Sequence, residues 1–131
     1  MAEQVDRFEA VEAVDLEWQR LPDWWKGRPA EGEPDLRYMM FNEGGNGIPP
    51  VSLNEYEPHH LQKRHRHLED EILLLFDGDL EIEGRHYTAP SMIFVGKGTA
   101  YGPLRAGPNG TRFFRVALTH KAEGAARHGG L

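Results

Sequence analysis

Two histidines and a glutamate in the middle of the chain have the spacing of a metal-binding site. His65 and His67 are separated by one residue, and Glu71 follows four residues later. Alternate residues of a strand point to one face, so both imidazoles can be directed at one point, and Glu71 can add a carboxylate oxygen from the next strand. Two neutral imidazoles and one carboxylate bind non-haem iron and several zinc, manganese or nickel ions. The spacing therefore predicts that these three side chains bind a divalent metal ion.

The same stretch has a simpler interpretation, a solvated and charged edge. Four charged residues surround the two histidines and the glutamate, namely Arg64, Arg66, Glu69 and Asp70. The four-point spacing, which includes Gly78, should nevertheless occur by chance in well under roughly one chain in a hundred of this length. We therefore prefer the metal site.

Composition limits the class of protein and its partners. The chain has 131 residues, enough for one domain, and a net charge of −6. Its one basic run, Lys63 to His67, is too short to follow a phosphate backbone. Without cysteine, any metal must take nitrogen and oxygen ligands. The acidic N-terminus lacks a signal-peptide core, and no apolar run could span a membrane. We expect a cytoplasmic protein with neither nucleic-acid nor membrane partners.

Short apolar or alternating runs, separated by turn residues, predict an all-β barrel. The predicted strands are Leu36–Phe41, Val51–Tyr56, one that ends at His65 and His67, Glu71–Phe76, Leu80–Glu83, Arg85–Thr88, Met92–Val95, Tyr101–Arg105 and Arg112–Thr119. Asp77 and Gly78 have the composition of a tight hairpin turn. Residues Ala13 to Leu21 are either a first strand or the end of a weak helix, and their periodicity does not distinguish the two.

Residue parity predicts which side chains face the barrel interior. If Glu71 points inward, Leu73 and Leu75 do so as well, and the residues between them face outward. The outward residues Ile72, Leu74 and Phe76 are apolar and need a cover. The N-terminal segment, with Trp18, Trp24 and Trp25, could supply that cover, or a second subunit could.

The motif resembles the first conserved motif of the cupin superfamily. That motif is a glycine, five residues, HxH, three or four residues, glutamate, six residues and glycine. The chain matches it at His65, His67, Glu71 and Gly78, and departs from it at the leading position, which is His59. The resemblance covers roughly residues 50 to 119 and implies the cupin fold.

The second cupin motif is much weaker in this chain. It aligns on Gly98, but its histidine ligand is replaced by Tyr101 and its asparagine by Arg105. Tyr101 could ligate the metal as a phenolate, hold a metal-bound water or substrate as a neighbouring group, or mark a barrel that has lost its metal. Arg105 shares the parity of Tyr101 and, if it points inward, would bind an anionic substrate.

The resemblance implies a single-domain jelly-roll barrel that uses a metal. We expect an N-terminal extension on the barrel over residues 1–35, the barrel over 36–120 and a flexible tail over 121–131. We also expect a homodimer, because many similar cupins pair. The implied activity is that of a metal-dependent enzyme acting on a small anionic, diketone or enol-type molecule.

Two catalytic classes and one non-catalytic class follow from the resemblance. The first is a dioxygenase with Fe(II) as the favoured ion, although zinc, manganese or nickel would also suit the ligands. The second is a non-redox isomerase, cyclase or lyase. In both, Tyr101 and Glu71 are the candidate catalytic groups, and Tyr101 and Arg105 the candidate substrate contacts. The third is a small-molecule-binding regulatory cupin, because Trp18–Pro22 and Tyr101–Pro103 are similar to segments of bacterial anti-sigma cupin modules.

Overall fold

The protein is an antiparallel all-β structure, as the sequence predicted. The computed structural model describes residues 8–20 and 36–118. Its seven strands are β1 (Leu36–Asn42), β2 (Val51–Tyr56), β3 (Leu61–Gln62), β4 (Asp70–Ile82), β5 (Arg85–Thr88), β6 (Ser91–Val95) and β7 (Leu104–Leu118). They pair in the order β1-β2-β7-β4-β5, with β3 also on β7 and β6 also on β4. Among the described residues, no helix is long and apolar enough to cross a membrane.

A long ribbon of β4 and β7 is the backbone of the sheet. The two strands pair from Asp70 opposite Leu118 to Ile82 opposite Leu104. The register shifts twice, once before Gly78 and once after it. Register shifts of this kind are β-bulges, which bend a strand and raise its twist. The bends allow one ribbon to pair with β2 and β6 at one end and with β3 and β5 at the other. The result is a curved sheet that encloses a core.

The predicted hairpin turn at Asp77-Gly78 is wrong. Asp77 pairs with Arg112 and Gly78 with Thr111, so the chain continues along β7 through both residues. Gly78 has a φ of 77°. This left-handed conformation belongs to a β-bulge and not to a turn. The turn lies at Glu83 and Gly84, both with positive φ, between β4 and β5.

The predicted division between Tyr101–Arg105 and Arg112–Thr119 is also different in the structure. Tyr101 forms an isolated bridge with His65, and a single strand, β7, begins at Leu104. Thr119 lies outside the described residues. Because Tyr101 stands before β7, the alternation of side chains does not run from Tyr101 into that strand.

Residue parity along β4 is confirmed. Glu71, Leu73 and Leu75 are 0%, 1% and 2% exposed, whereas Leu74 and Phe76 are 38% and 46% exposed. The other fully buried leucines, Leu80 and Leu104, join the same core. A fully buried glutamate among leucines is costly unless it has partners, and it therefore marks the site.

The segment before the barrel contacts β1 but is neither a regular strand nor an α-helix. It has one 3-10 turn, Ala13–Asp15, and Gln19 bridges to Tyr38. The Arg37 guanidinium lies over the Trp18 ring, 4.0 Å from its centroid. Trp24 and Trp25 lie outside the described residues, as do the predicted tail 121–131 and most of the extension 1–35. The domain boundaries therefore stay predictions.

Candidate functional site

A cavity of about 320 Å³ lies inside the barrel. Its polar lining includes Ser52 and Asn54 from β2 and Gln62 from β3, and its apolar lining includes Leu73 and Phe113 from β4 and β7. These side chains point into one space because strand residues two apart share a face. This volume is at the lower end of the range for sites that bind small molecules.

The two predicted histidine ligands lie together on this cavity. His65 is fixed by two backbone hydrogen bonds with Tyr101, of 3.0 and 2.8 Å. The ring centroid of His65 is 4.9 Å from that of His67 and 4.8 Å from that of Tyr101. All three side chains line the cavity. The predicted convergence of His65, His67 and Tyr101 is therefore present.

The tautomer of His65 follows from its hydrogen bond. Its Nδ1 lies 2.7 Å from the backbone carbonyl oxygen of Lys63. A carbonyl oxygen can only accept, so Nδ1 carries the proton and Nε2 of the neutral ring keeps its lone pair. Burial lowers the pKa of His65, against smaller raising effects of the Lys63 hydrogen bond and the Glu71 charge. His65 is therefore a neutral imidazole with an acceptor nitrogen at pH 7.

Both carboxylate oxygens of Glu71 already have partners. The Tyr101 hydroxyl donates to Oε1 at 2.5 Å, and the Arg115 Nε–H donates to Oε2. Oε2 is also the oxygen nearest to His67, whose Nε2 is 3.7 Å away. These contacts neutralise and solvate a carboxylate that water does not reach.

Arg115 is the residue of the site that the sequence argument missed. It lies on β7 between Phe113 and Ala117, which are 3% and 0% exposed, so parity along this strand also points it inward. Its Nη2 is 3.5 Å from Oε1 of Glu69, which is itself buried. One guanidinium thus stands between two carboxylates. Glu69, which would be solvated if the motif were only a charged edge, is buried beside this guanidinium.

Tyr101 is a proton donor in this environment. Burial raises the pKa of its phenol well above the usual value, and the charge of Glu71 and the hydrogen bond to it raise it further. The hydroxyl keeps its proton because a phenolate here would face a carboxylate in a poorly solvated space. This environment opposes phenolate ligation of a metal, one of the three roles open to Tyr101 from the sequence.

The residues present do not form a ligand set for a metal ion in this arrangement. A carboxylate ligand needs an oxygen about 2.0–2.2 Å from the ion, and both oxygens of Glu71 are held by Arg115 and Tyr101. An ion at His67 and Glu71 would also stand beside a guanidinium. Within residues 8–20 and 36–118, no group of three or more histidine, cysteine, aspartate or glutamate side chains is arranged to hold a metal. Metal binding by His65, His67 and Glu71 stays a prediction.

Arg105 does not reach the site, so the inward orientation on which its predicted substrate contact depended is not found. It is exposed and pairs in the sheet with Leu61 and Glu81, while the preceding Leu104 is 1% exposed. The prediction failed because parity was carried from Tyr101 across a break in strand structure. The guanidinium at the cavity comes from Arg115 instead, ten residues further on.

The other histidines near the motif are not at the cluster. His60 is buried and its Nε2 is 3.2 Å from Oε1 of Gln62, whereas His59 is exposed with a φ of 64°. His86 is on the surface, where its Nε2 is 2.8 Å from an oxygen of Asp79.

Comparisons with known proteins identify the fold. No protein-family profile matches the chain, and no curated protein matches it. Among solved structures, an acetylacetone dioxygenase from Acinetobacter johnsonii is 13% identical with a TM-score of 0.66, over 90% of this chain and 77% of that one. The polyketide cyclase RemF from Streptomyces resistomycificus is 16% identical with a TM-score of 0.62, over 85% and 79%. A cupin-superfamily sugar phosphate isomerase from Silicibacter pomeroyi has the same identity and TM-score, over 85% and 76%.

These likenesses are too distant in sequence to transfer a reaction, but they agree on architecture. The neighbours also include RmlC-like cupins and a cupin-2 domain. The chain therefore has the cupin fold, as its first motif implied. Its neighbours include a dioxygenase, a cyclase and an isomerase, so the shared fold does not select one reaction.

Proposed function

We propose that this chain is an enzyme that moves a proton within a small carbonyl or enol compound, as a non-redox isomerase, cyclase or lyase does. The observation that carries the proposal is that His65, with an acceptor nitrogen, and Tyr101 line one cavity with their ring centroids 4.8 Å apart. A neutral imidazole that lines a cavity together with a tyrosine is a usual arrangement for general acid–base catalysis.

The chemistry needs no redox partner. Nε2 of His65 would take a proton from carbon next to a carbonyl, or from an enol hydroxyl, and return it to another atom of the same molecule. The Tyr101 hydroxyl donates a hydrogen bond to Glu71. The lone pairs of its oxygen can therefore accept a hydrogen bond from a substrate hydroxyl. Arg115 holds the carboxylate of Glu71 in the position that keeps Tyr101 in this orientation. Proton transfer of this kind contributes about 10²–10⁴ in rate.

The charges of the site favour a neutral substrate over an anion. Arg105 is exposed, and the guanidinium on the cavity, that of Arg115, is already shared by Glu69 and Glu71. Two carboxylates against one guanidinium give these three described side chains an excess of negative charge, which disfavours a carboxylate ligand. Neutral hydrogen-bonding groups on the same cavity come from Ser52, Asn54 and Gln62. Of the substrates that the sequence suggested, a diketone or enol fits this lining better than an anionic molecule.

The test is hydrogen–deuterium exchange at carbon, followed by proton NMR. We would incubate the protein in D₂O, under argon and with a chelator, with hydroxyketones, keto esters and cyclic ketones whose spontaneous exchange is slow. We expect exchange above the buffer rate for at least one compound, and a loss of about 100-fold or more in His65→Gln. The exposed His86→Gln variant is the matched control and should keep the wild-type rate. Equal rates in all three proteins would contradict the proposal.

A metal-dependent dioxygenase is the second candidate. It is favoured by the hydrogen bond from His65 Nδ1 to the Lys63 carbonyl, since metal-binding histidines commonly donate their other nitrogen to a carbonyl oxygen. His65, His67 and Glu71 would hold the ion, with Fe(II) the favoured metal, provided that Arg115 released the carboxylate. Turnover that requires both added Fe(II) and O₂ would select this candidate.

A regulatory binding protein is distinguished by the same screen. Compounds that raise the melting temperature but are neither exchanged nor oxidised would indicate binding without turnover, because a ligand that binds the folded state stabilises it.

A further inference from the structure

We propose that Arg115 takes the place of a metal ion in this barrel, so that the site works with a resident guanidinium and without a divalent cation. The inference concerns the charge that Glu71 faces and holds whether or not the protein moves a proton. Its readout is metal binding, so it can fail while the proposed function stands, and the reverse is also true.

Burial makes a positive charge beside Glu71 necessary. The side chain of Glu71 is 0% exposed and lies on the same buried face of β4 as Leu73 and Leu75. Removing an ionised carboxylate from water is expensive unless a counter-charge and hydrogen bonds replace the water. A metal ion can meet that requirement, and so can an arginine. Here the Nε–H of Arg115 is the group in contact.

The guanidinium and a metal ion compete for the same oxygen. Arg115 binds Oε2 of Glu71, which is the oxygen 3.7 Å from Nε2 of His67. The other oxygen accepts the Tyr101 hydroxyl at 2.5 Å. A metal bound by His67 and Glu71 would have to displace one of these donors and then stand beside the charge of Arg115. Without Glu71, only the two imidazoles of the predicted ligand set remain.

Arg115 is held in place from its far side. Its Nη2 faces the buried carboxylate of Glu69 at 3.5 Å, and its side chain is only 13% exposed. Moving this guanidinium into solvent would be unfavourable, because it would leave two buried carboxylates without a counter-charge. Glu69 thus acts as a positioning residue that keeps Arg115 on Glu71.

The experiment is a metal titration of purified protein after treatment with a chelator. Co²⁺ is the probe, because its visible absorption reports inner-sphere ligands, and bound metal is counted by elemental analysis after dialysis. The test variant is Arg115→Met, which keeps an unbranched side chain and removes the charge. The control is Arg112→Met on the same strand, whose side chain is 47% exposed and pairs with Glu55.

We expect substoichiometric Co²⁺ in the wild type and in Arg112→Met, and about one Co²⁺ per chain in Arg115→Met. The gained metal should disappear in the His65→Ala/Arg115→Met double variant, and it should raise the melting temperature of Arg115→Met alone. Two results would overturn the proposal. One is a wild type that binds one Co²⁺ per chain and loses it on His65→Ala. The other is a folded Arg115→Met protein that binds no more Co²⁺ than the wild type. If Arg115→Met does not fold, the wild-type titration decides alone.

Discussion

At the scale of the residue, the site depends on one buried carboxylate and its donors. Glu71 receives a hydroxyl from Tyr101 and a guanidinium from Arg115, and both donors are themselves largely buried. Hydrogen bonds to a charged group are stronger than neutral ones, and removing one leaves a buried charge short of a partner. The network should therefore contribute to stability as well as to chemistry.

The substitution Tyr101→Phe tests that contribution. We expect it to lower the free energy of unfolding by about 1.5–3 kcal/mol, because Glu71 loses a donor that water cannot replace. Tyr38→Phe is the matched control, since the Tyr38 hydroxyl also meets a side-chain oxygen, that of Gln19, but on the surface at 3.2 Å. Its cost should stay within about 0.5 kcal/mol. Urea denaturation measures both, and equal losses would contradict a special role for the buried bond.

At the scale of the element, the curvature of the β4–β7 ribbon depends on a close approach of two glycines. Gly78 on β4 faces Gly110 on β7, and a Cβ on Gly78 would overlap the carbonyl oxygen of Gly110. Both residues have positive φ, of 77° and 75°. The glycine that ends the first cupin motif is thus required by packing between strands as well as by backbone conformation.

Gly78→Ala and Gly84→Ala separate these two requirements. Gly84 has a similar φ of 82°, but a Cβ added to it would meet nothing within 4 Å, so its substitution should cost about 1–2 kcal/mol from backbone strain alone. Gly78→Ala adds overlap with backbone and should cost at least about 1 kcal/mol more. Chemical denaturation measures the difference. Equal losses would show that the ribbon can open at Gly110 without cost.

At the scale of the whole molecule, an apolar outer patch is left uncovered by the described residues. The outer patch consists of Leu74, Phe76, Met92 and Phe94, which are 38%, 46%, 68% and 59% exposed. Leu74 pairs with Met92 across β4 and β6, so these side chains share one face. These four side chains carry no charge, and the complement of an uncharged apolar surface is another such surface. We propose that a second copy of the chain covers it.

The substitution Phe94→Glu tests the dimer. We expect the wild type to sediment as a dimer at micromolar concentration and Phe94→Glu to sediment as a monomer, because dimerisation would bury the added charge. Leu61→Glu is the control, since Leu61 is 50% exposed on β3, outside the outer patch. A wild type that is monomeric at every concentration would contradict the proposal, and another segment of the same chain, such as the one with Trp24 and Trp25, would then be the expected cover.

Much of the barrel could be predicted from the sequence, because the signals are local. Val51–Tyr56 has the bounds expected, and the inward set Glu71, Leu73 and Leu75 follows from the two-residue period of a strand. The pairing of His65 with His67 followed from their spacing. These predictions needed only the chemistry of neighbouring residues, whereas the place of Tyr101 was implied by the resemblance to the second cupin motif.

The failures share one cause, which is pairing between distant parts of the chain. Asp77-Gly78 has the composition of a hairpin turn, yet β7 pairs across it from more than thirty residues away. Arg105 was oriented by counting from Tyr101, although β7 begins between them. A local sequence pattern contains no information about which distant strand will pair with a given strand.

The sequence by itself determined the all-β barrel, its inward face and the gathering of two histidines, a glutamate and a tyrosine at one site. Only the tertiary structure decided the charge that meets the glutamate. Arg115 lies forty-four residues from Glu71 in the chain, and pairing of β4 with β7 brings the two into contact. Electrostatic energy depends on distance in space and on burial, so the partner of a buried charge is known only when the fold is known.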